Sequence, residues 1–439
     1  MPELFQGQDS RPLTFSWLSA ENFVKETLQA GALAHLSTPP LHRSGGLRSA
    51  RFEVDKVSGR RGLRFLLGSP PMGSGNLAFQ TEVCTAEPLA TEPGTECPFK
   101  PVPDNSPVRR SLANRAAKQT PEKRWSRHSE RHFVNKNGHR IYTQQWTPDG
   151  TPMKAAVVVF HGLNEHSGRY KHLARQLTKQ GYGVFGMDWY GHGRSDGLHG
   201  FVDRLDNTVQ DAGAYLKMVK RLNPGVPCFV YGHSTGAAIA LKATQTSPRS
   251  ELAGLVLTAP AIAIQPPHPV LATLLPFFSE VVPTLQVEAA NRSDIKNSRD
   301  PASLLDKYSD PLVYTGSIRV RTGSEVLRIA SDVRQNLHRV RHPFFVCHGT
   351  GDRVTLPEGS HELFRRAPVA QKKLKLYPGC LHDLLLEPEK DELVRDVVSW
   401  MDGRLNEGEN GEEELSVSGR REEKSVRGGS VGLEMVERC

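Results

Sequence analysis

Serine, aspartate and histidine are the residue types that together turn a hydroxyl into a nucleophile, and this chain offers them in the order Ser234, Asp352, His382. Ser234 is the middle of Gly232-His233-Ser234-Thr235-Gly236, where the apolar run VPCFVY ends and the small-residue pattern TGAAIALKA begins. A strand that passes directly into a helix makes a sharp turn and lifts a serine hydroxyl clear of the sheet; flanking glycines leave room for the neighbouring backbone. The same five-residue pattern occurs twice more. Gly193-Arg194-Ser195-Asp196-Gly197 follows no strand pattern, and Gly428-Gly429-Ser430-Val431-Gly432 lies in a polar stretch, so Ser234 is the candidate nucleophile.

The serine needs a base to take its proton, and the base needs an acid to fix its tautomer. HGTGDRVT follows the run PFFVC and places Asp352 in a turn, while GCLHDLLLE follows KKLKLYP and places His382 in a loop. Both positions fall after a strand, at the edge where parallel sheets bind ligands. Neighbouring alternatives are Asp383, beside His382, and His348, at a strand end; an aspartate in a Gly-Asp turn also commonly caps its own turn. Acyl transfer builds charge on a carbonyl oxygen, which two backbone amides must meet. Thr235, directly after the nucleophile, is one expected donor. Leu163 is the other, in the loop His161-Gly162-Leu163-Asn164-Glu165-His166-Ser167-Gly168-Arg169-Tyr170. That histidine-rich loop has no carboxylate or cysteine at metal-ligand spacing, so neither metal nor cofactor is expected.

These loops need a sheet to hold them. RHFVNKNGHRIYTQQW alternates about Asn137-Gly138 and predicts a hairpin starting near Arg131. Strand and helix patterns then alternate: strands at 155–160, 182–189, the run before Ser234, 252–259, 343–349 and 372–378, with helices near 168–180, 205–222, after Ser234, 358–366 and 389–404. Such alternation predicts an α/β protein with a mostly parallel sheet covered on both faces. Residues 260–342 break the rhythm for longer than a connecting loop needs, which predicts an inserted subdomain. Leu271, Leu274, Leu275, Phe277, Phe278, Val281 and Val282, interrupted by Pro269, Pro276 and Pro283, give it the composition of an apolar lid. The expected organisation is a mostly disordered extension (1–124), a first core segment (125–261), a cap or lid (262–341), a second core segment (342–404) and a disordered tail (405–439).

Composition narrows the classes further. A hydrophobic fraction of 37% over 439 residues is low for a chain folded throughout, in keeping with those two tails. The net charge of +8 is spread through flexible segments without interleaved aromatics, so no nucleic-acid partner is expected. No apolar run reaches the roughly 18 residues of a membrane-spanning helix. Six dispersed cysteines without a Cys-x-x-Cys pair fit a reducing compartment, with Cys228 and Cys347 in buried strands. The expected location is intracellular, cytoplasmic or peripheral to a membrane. Residues 36–75, basic and Ser-rich, also fit a plastid transit peptide, against which stand Glu3, Asp9, Glu21 and Glu26. Phe15 to Leu36 reads as one amphipathic helix.

HGLNEHSGRY, MDWYGHGRSDGLHG, GHSTG, GTGDRVT and GCLHDLLLEPE resemble the monoacylglycerol lipase family of α/β-hydrolases, most of all its plant members. The resemblance runs from about Arg131 to Met401, including SRDPASLLDKYSDPLVYTGSIRVRTG in the cap. It implies an α/β-hydrolase fold, a Ser234-Asp352-His382 triad, an oxyanion hole at Leu163 and Thr235, and Glu165 and Arg169 near the alcohol end of the substrate. The implied substrate is a monoacylglycerol or similar amphiphilic ester, cleaved to fatty acid and glycerol; peripheral membrane contact through the cap is expected from its apolar composition. Animal members carry a second histidine three positions after the catalytic one, where this chain has Leu385. Lysophospholipid and caffeoyl-shikimate-type esters are therefore the alternative substrates, and a non-catalytic ligand receptor on the same scaffold is the remote one.

Overall fold

The computed structural model describes residues 52–57, 60–65, 104–119, 126–245, 251–265, 269–286 and 296–407. The Phe15 to Leu36 helix, most of the transit-peptide-like stretch, Ser430 and the tail beyond residue 407 lie outside the described residues. The chain divides into two units. In Leu18–Lys100 the described residues form one antiparallel hairpin, β1 (Phe52–Val57) and β2 (Arg60–Phe65), with Val54 opposite Leu63.

The other unit is built on one eight-stranded sheet. Its strands are β3 (Arg127–Val134), β4 (Arg140–Thr147), β5 (Ala155–Phe160), β6 (Tyr182–Met187), β7 (Cys228–His233), β8 (Gly254–Thr258), β9 (Phe344–Gly349) and β10 (Lys372–Tyr377), in the spatial order β10-β9-β8-β7-β5-β6-β4-β3. From β6 to β10 every neighbouring pair is parallel; β3 and β4 add an antiparallel edge, as the Asn137-Gly138 hairpin predicts. The Asn135 side chain closes that turn by accepting from the Asn137 and His139 amides at 3.0 Å.

Every residue of β5, β7, β8 and β9 is buried, because helices cover both faces. Alternate side chains serve opposite layers. Val158 and Phe160 join Tyr215, Leu241 and Val333, while Val157 and Val159 join Leu173, Leu177 and Val397. Each such fully buried apolar side chain contributes roughly 1.5–3 kcal/mol. The thiols of Cys228 and Cys347 lie buried and free in β7 and β9.

Part of the stretch expected to lack order is a helix, α1 (Ser106–Gln119). Its sequence SPVRRSLANRAAKQ has no apolar stripe, so periodicity gives no sign of it. Polar anchors hold it instead. The buried Arg109 guanidinium donates to the carbonyl oxygens of Ser195 (2.7 Å), Gly197 (2.8 Å) and Gly193 (3.1 Å), and Asp104 accepts from the Gly197 amide at 3.0 Å.

The remaining helices are α2 (Lys171–Lys179), α3 (Leu205–Leu222), α4 (Thr235–Thr244), α5 (Pro269–Val281), α6 (Pro301–Ser309), α7 (Val320–Gln335), α8 (Pro357–Arg366) and α9 (390–407). Three of them, α5 to α7, fall in the interval read as a cap. Pro269 starts α5, where its missing amide costs nothing, and Pro276 lies within it. Helix α7 packs on α4 and α3 and places Ile329 and Val333 in the main apolar layer. Within the 262–341 interval it also packs on α5, so the same helix adds to the apolar layer and supports the rest of the inserted segment. Among the described residues no helix is long and apolar enough to cross a membrane.

Candidate active site

The turn at Ser234 forms because β7 must pass into α4 with no intervening loop. Ser234 takes φ 54° and ψ −123°, a conformation L-residues avoid. Its surroundings over-determine it: the Ser234 amide donates to the Thr258 carbonyl at 3.0 Å, and its own carbonyl accepts from Ala237 and Ala261 at 3.0 Å. A Cβ on Gly236 would lie 2.2 Å from the Phe160 and His161 oxygens, and one on Gly232 would lie 2.6 Å from the Ala237 Cα. The two glycines are thus required by contact. Ser195, in the second copy of the pattern, instead ties a loop together: its hydroxyl donates to the Asp188 carbonyl and accepts from the Tyr142 amide.

Ser234, His382 and Asp352 meet. Ser234 Oγ is 2.9 Å from His382 Nε2, and His382 Nδ1 is 2.8 Å from Asp352 Oδ2, all three residues being buried. Asp352 also accepts from the Val354 and Thr355 amides, at 2.8 and 3.1 Å, and from His348 Nε2 at 3.1 Å. Burial alone would raise the Asp352 carboxyl, but His382 and His348 outweigh it and hold the group well below the carboxylate range. Burial likewise works against a charged His382, yet the Asp352 carboxylate overrides it and leaves the imidazole above its ordinary value. An acceptor-only carboxylate on Nδ1 puts the proton there and leaves Nε2 free to take one from the serine.

Gly162 follows β5 and lies against Ser234 and His233, close enough that a Cβ there would approach Glu165 Oε1 to 3.0 Å. Among the described residues neither the Leu163 nor the Thr235 amide donates to a protein acceptor. Glu165 Oε1 accepts from the Gly162 amide and from the Tyr170 hydroxyl, both at 2.6 Å, and so braces the loop carrying Leu163. Arg169 donates to Asp306 of α6 at 2.8 Å. Glu165 and Arg169 line one pocket with Tyr170, His233, Asp383, Leu385 and Leu386.

His348 and Asp383, the neighbouring alternatives in the sequence, take supporting places, and Lys307 joins them without a sequence signal. His348 backs Asp352 and bonds Ser360 through Nδ1 at 2.7 Å. Asp383 turns away from His382 as an adjacent residue must, towards His233 Nε2 at 3.1 Å and Lys307 Nζ at 2.5 Å. Lys307 belongs to α6 and is buried, a place where an unpaired ammonium would be costly. Its spacing from Asp383 gives no local signal.

Residues 151–389 match the family described as serine aminopeptidase, S33. The monoglyceride lipase of Rattus norvegicus is 32% identical over 280 residues, covering 62% of this chain and 90% of that protein. The caffeoylshikimate esterase of Arabidopsis thaliana is 31% identical over 288 residues, covering 64% of this chain and 86% of the esterase. The crystal structure of Paleococcus ferrophilus monoacylglycerol lipase matches with a TM-score of 0.53 at 29% identity, covering 60% of this chain and 99% of that one.

Proposed function

Because the chain belongs to the serine aminopeptidase S33 family of α/β-hydrolases, with monoglyceride lipases among its relatives, we propose that it cleaves monoacylglycerol to fatty acid and glycerol. The observation that carries this reading is the continuous hydrogen-bonded line from Ser234 through His382 to Asp352 at a strained strand-to-helix turn. Ser234 Oγ attacks the ester carbonyl as His382 Nε2 takes its proton. The Leu163 and Thr235 amides receive the oxyanion. His382 then returns the proton to the departing glycerol oxygen, and a water activated by the same imidazole releases the fatty acid from Ser234. Asp352 holds the tautomer and stays ionised throughout.

The exposed apolar side chains Phe277 and Val281 on α5 and Leu305 on α6 support contact with a membrane surface, from which an amphiphilic substrate would be drawn. A second reading, a lysophospholipid or phenolic ester, is favoured by Leu385 and Leu386 in the pocket and by the similarity to the Arabidopsis esterase. Hydrolysis of monoacylglycerol, lysophosphatidylcholine and caffeoyl shikimate at equal concentration, with wild type and Ser234→Ala, separates them. A monoacylglycerol rate below both others sinks the first reading, and failure of Ser234 to react with a fluorophosphonate would leave only a ligand receptor.

A further inference from the structure

Beside the triad lies a second buried group of charges that hydrolysis as described does not use. Asp383 follows His382 directly in the chain, and its two oxygens are divided between core and cap. Oδ1 meets His233 Nε2 at 3.1 Å, on the residue preceding the nucleophile, and Oδ2 meets Lys307 Nζ at 2.5 Å, from α6. The Asp383 amide in turn donates to the Asn297 carbonyl at 2.8 Å, at the start of the segment leading into α6. Both side chains of the Lys307–Asp383 pair are under a tenth exposed. The loop that presents His382 is thus fastened to the cap by this buried ion pair, beside the Arg299–Glu387 pair and the Ser298 hydroxyl on the Leu386 carbonyl.

We propose that Lys307 is a positioning residue for the reaction: by pairing with Asp383 it fixes the His382 loop and brings, from the cap, the positive charge that balances the carboxylates around the imidazole. The inference rests on the reading of Ser234, His382 and Asp352 as the reacting line. The groups facing His382 are known from each side. Asp352 approaches from the loop after β9, with His348 behind it; Asp383 comes from its own loop. His233 stands at the end of β7 with its ring 5.0 Å from the His382 ring. Glu165, with Tyr170 bonded to it, lies after β5, and Lys307 comes from α6. Two carboxylates, Asp352 and Asp383, therefore act on the imidazole, and the buried Lys307 lies between Asp383 and Glu165. Burial would lower the Lys307 ammonium, but Asp383 and Glu165 keep it above its usual value and hence charged.

A cation and an anion near the same imidazole act on it with opposite sign, and this separates the proposal from a merely structural role. Removing the cation makes a protonated His382 easier to form; removing the anion makes it harder. The test follows the His382 titration midpoint by NMR of the full chain carrying isotope-labelled histidine, with His382→Gln to assign the signal, alongside the acid limb of kcat/KM on p-nitrophenyl butyrate. Lys307→Met is expected to move the midpoint up by roughly half to one pH unit, and Asp383→Asn to move it down. The double variant returns towards wild type, and Lys307→Arg, which keeps the charge, stays near it. Thermal melting identifies any variant that fails to fold, for which the arginine and double variants stand in. Midpoints that move the same way in both single variants, or stay fixed while kcat falls, overturn the proposal. Midpoints that move as expected in a protein showing no Ser234-dependent turnover would uphold the placement and reject the esterase reading instead.

Discussion

Arg109 donates to the Ser195 carbonyl at 2.7 Å, joining helix α1 to the loop that follows β6 across 86 residues of sequence. The same guanidinium holds the Gly193 and Gly197 carbonyls, so one side chain closes three backbone acceptors of a loop that itself packs under the cap through His199 and the Leu312 carbonyl. Burial pushes the Arg109 pKa down to about 10, still far above neutrality, so the bonds are charge-assisted. Arg109→Ala is expected to cost on the order of 3 kcal/mol, read from urea unfolding. Arg109→Lys keeps the charge but loses the fork, and recovers less than half of it. A loss under about 0.5 kcal/mol would mean that α1 does not brace the loop.

The paired shifts at the triad set a pH dependence. Asp352 is held far down and is ionised across the working range, whereas His382 is raised above the ordinary imidazole value of 6.5. Below its pKa the imidazole already carries the proton it must accept. Activity on a short soluble ester should therefore rise with pH through a midpoint above about 6.5. Asp352→Asn removes the carboxylate that raises His382, so kcat should fall by roughly 10³- to 10⁴-fold and the limb should move to lower pH. A rising limb below pH 6 in the wild type would contradict this electrostatic arrangement.

What the sequence made legible is what lies within one strand and the turn after it. The runs ending at Phe160, His233 and Gly349 are buried strands, and Leu163, Ser234 and Asp352 follow them at the sheet's carboxyl edge, so their place in the fold is legible from local pattern and chain order. Pairings of charged groups distant in sequence left no such trace. Arg109 and Lys307 are basic residues that composition assigns to solvent, and each is buried because acceptors 76 or more residues away are brought to it. Helix α7 shows the same limit: the length of the inserted interval is visible in sequence, but the surface that its apolar stripe meets is not.

Two glycine substitutions should have opposite outcomes. Gly236→Ala places a methyl carbon 2.2 Å from backbone oxygens of Phe160 and His161, which sit in a packed strand end and cannot withdraw, so soluble yield should collapse and any recovered protein should lose fluorophosphonate labelling. Gly213 lies in the interior of α3 with nothing within 4 Å of where its Cβ would stand. Gly213→Ala should stabilise the protein by roughly 0.5–1 kcal/mol, by lowering the entropy of the unfolded chain and favouring the helix. Equal behaviour of the two variants in thermal melting would show that contact at the turn is not what selects glycine there.

Helix α5 exposes Phe277 at 64% and Val281, one turn later, at 54%, so two large apolar side chains share a face that water would otherwise wet. Neighbouring Leu274 and Phe278 are half-buried, which anchors the helix while leaving that face open. A lipid surface covering that face would remove the pair from water. Transferring each side chain into the acyl boundary contributes roughly 1.5–3 kcal/mol at full burial. Phe277→Ser with Val281→Ser should therefore reduce partitioning onto phosphatidylcholine vesicles by at least about tenfold. The loss of hydrolysis should appear as a higher KM for vesicle-borne monoacylglycerol, with kcat on a short soluble ester little changed, because neither side chain touches the Ser234 line. Partitioning that is unchanged in a sedimentation assay, or a loss of kcat on the soluble ester alone, would place these residues in packing or chemistry rather than at a membrane.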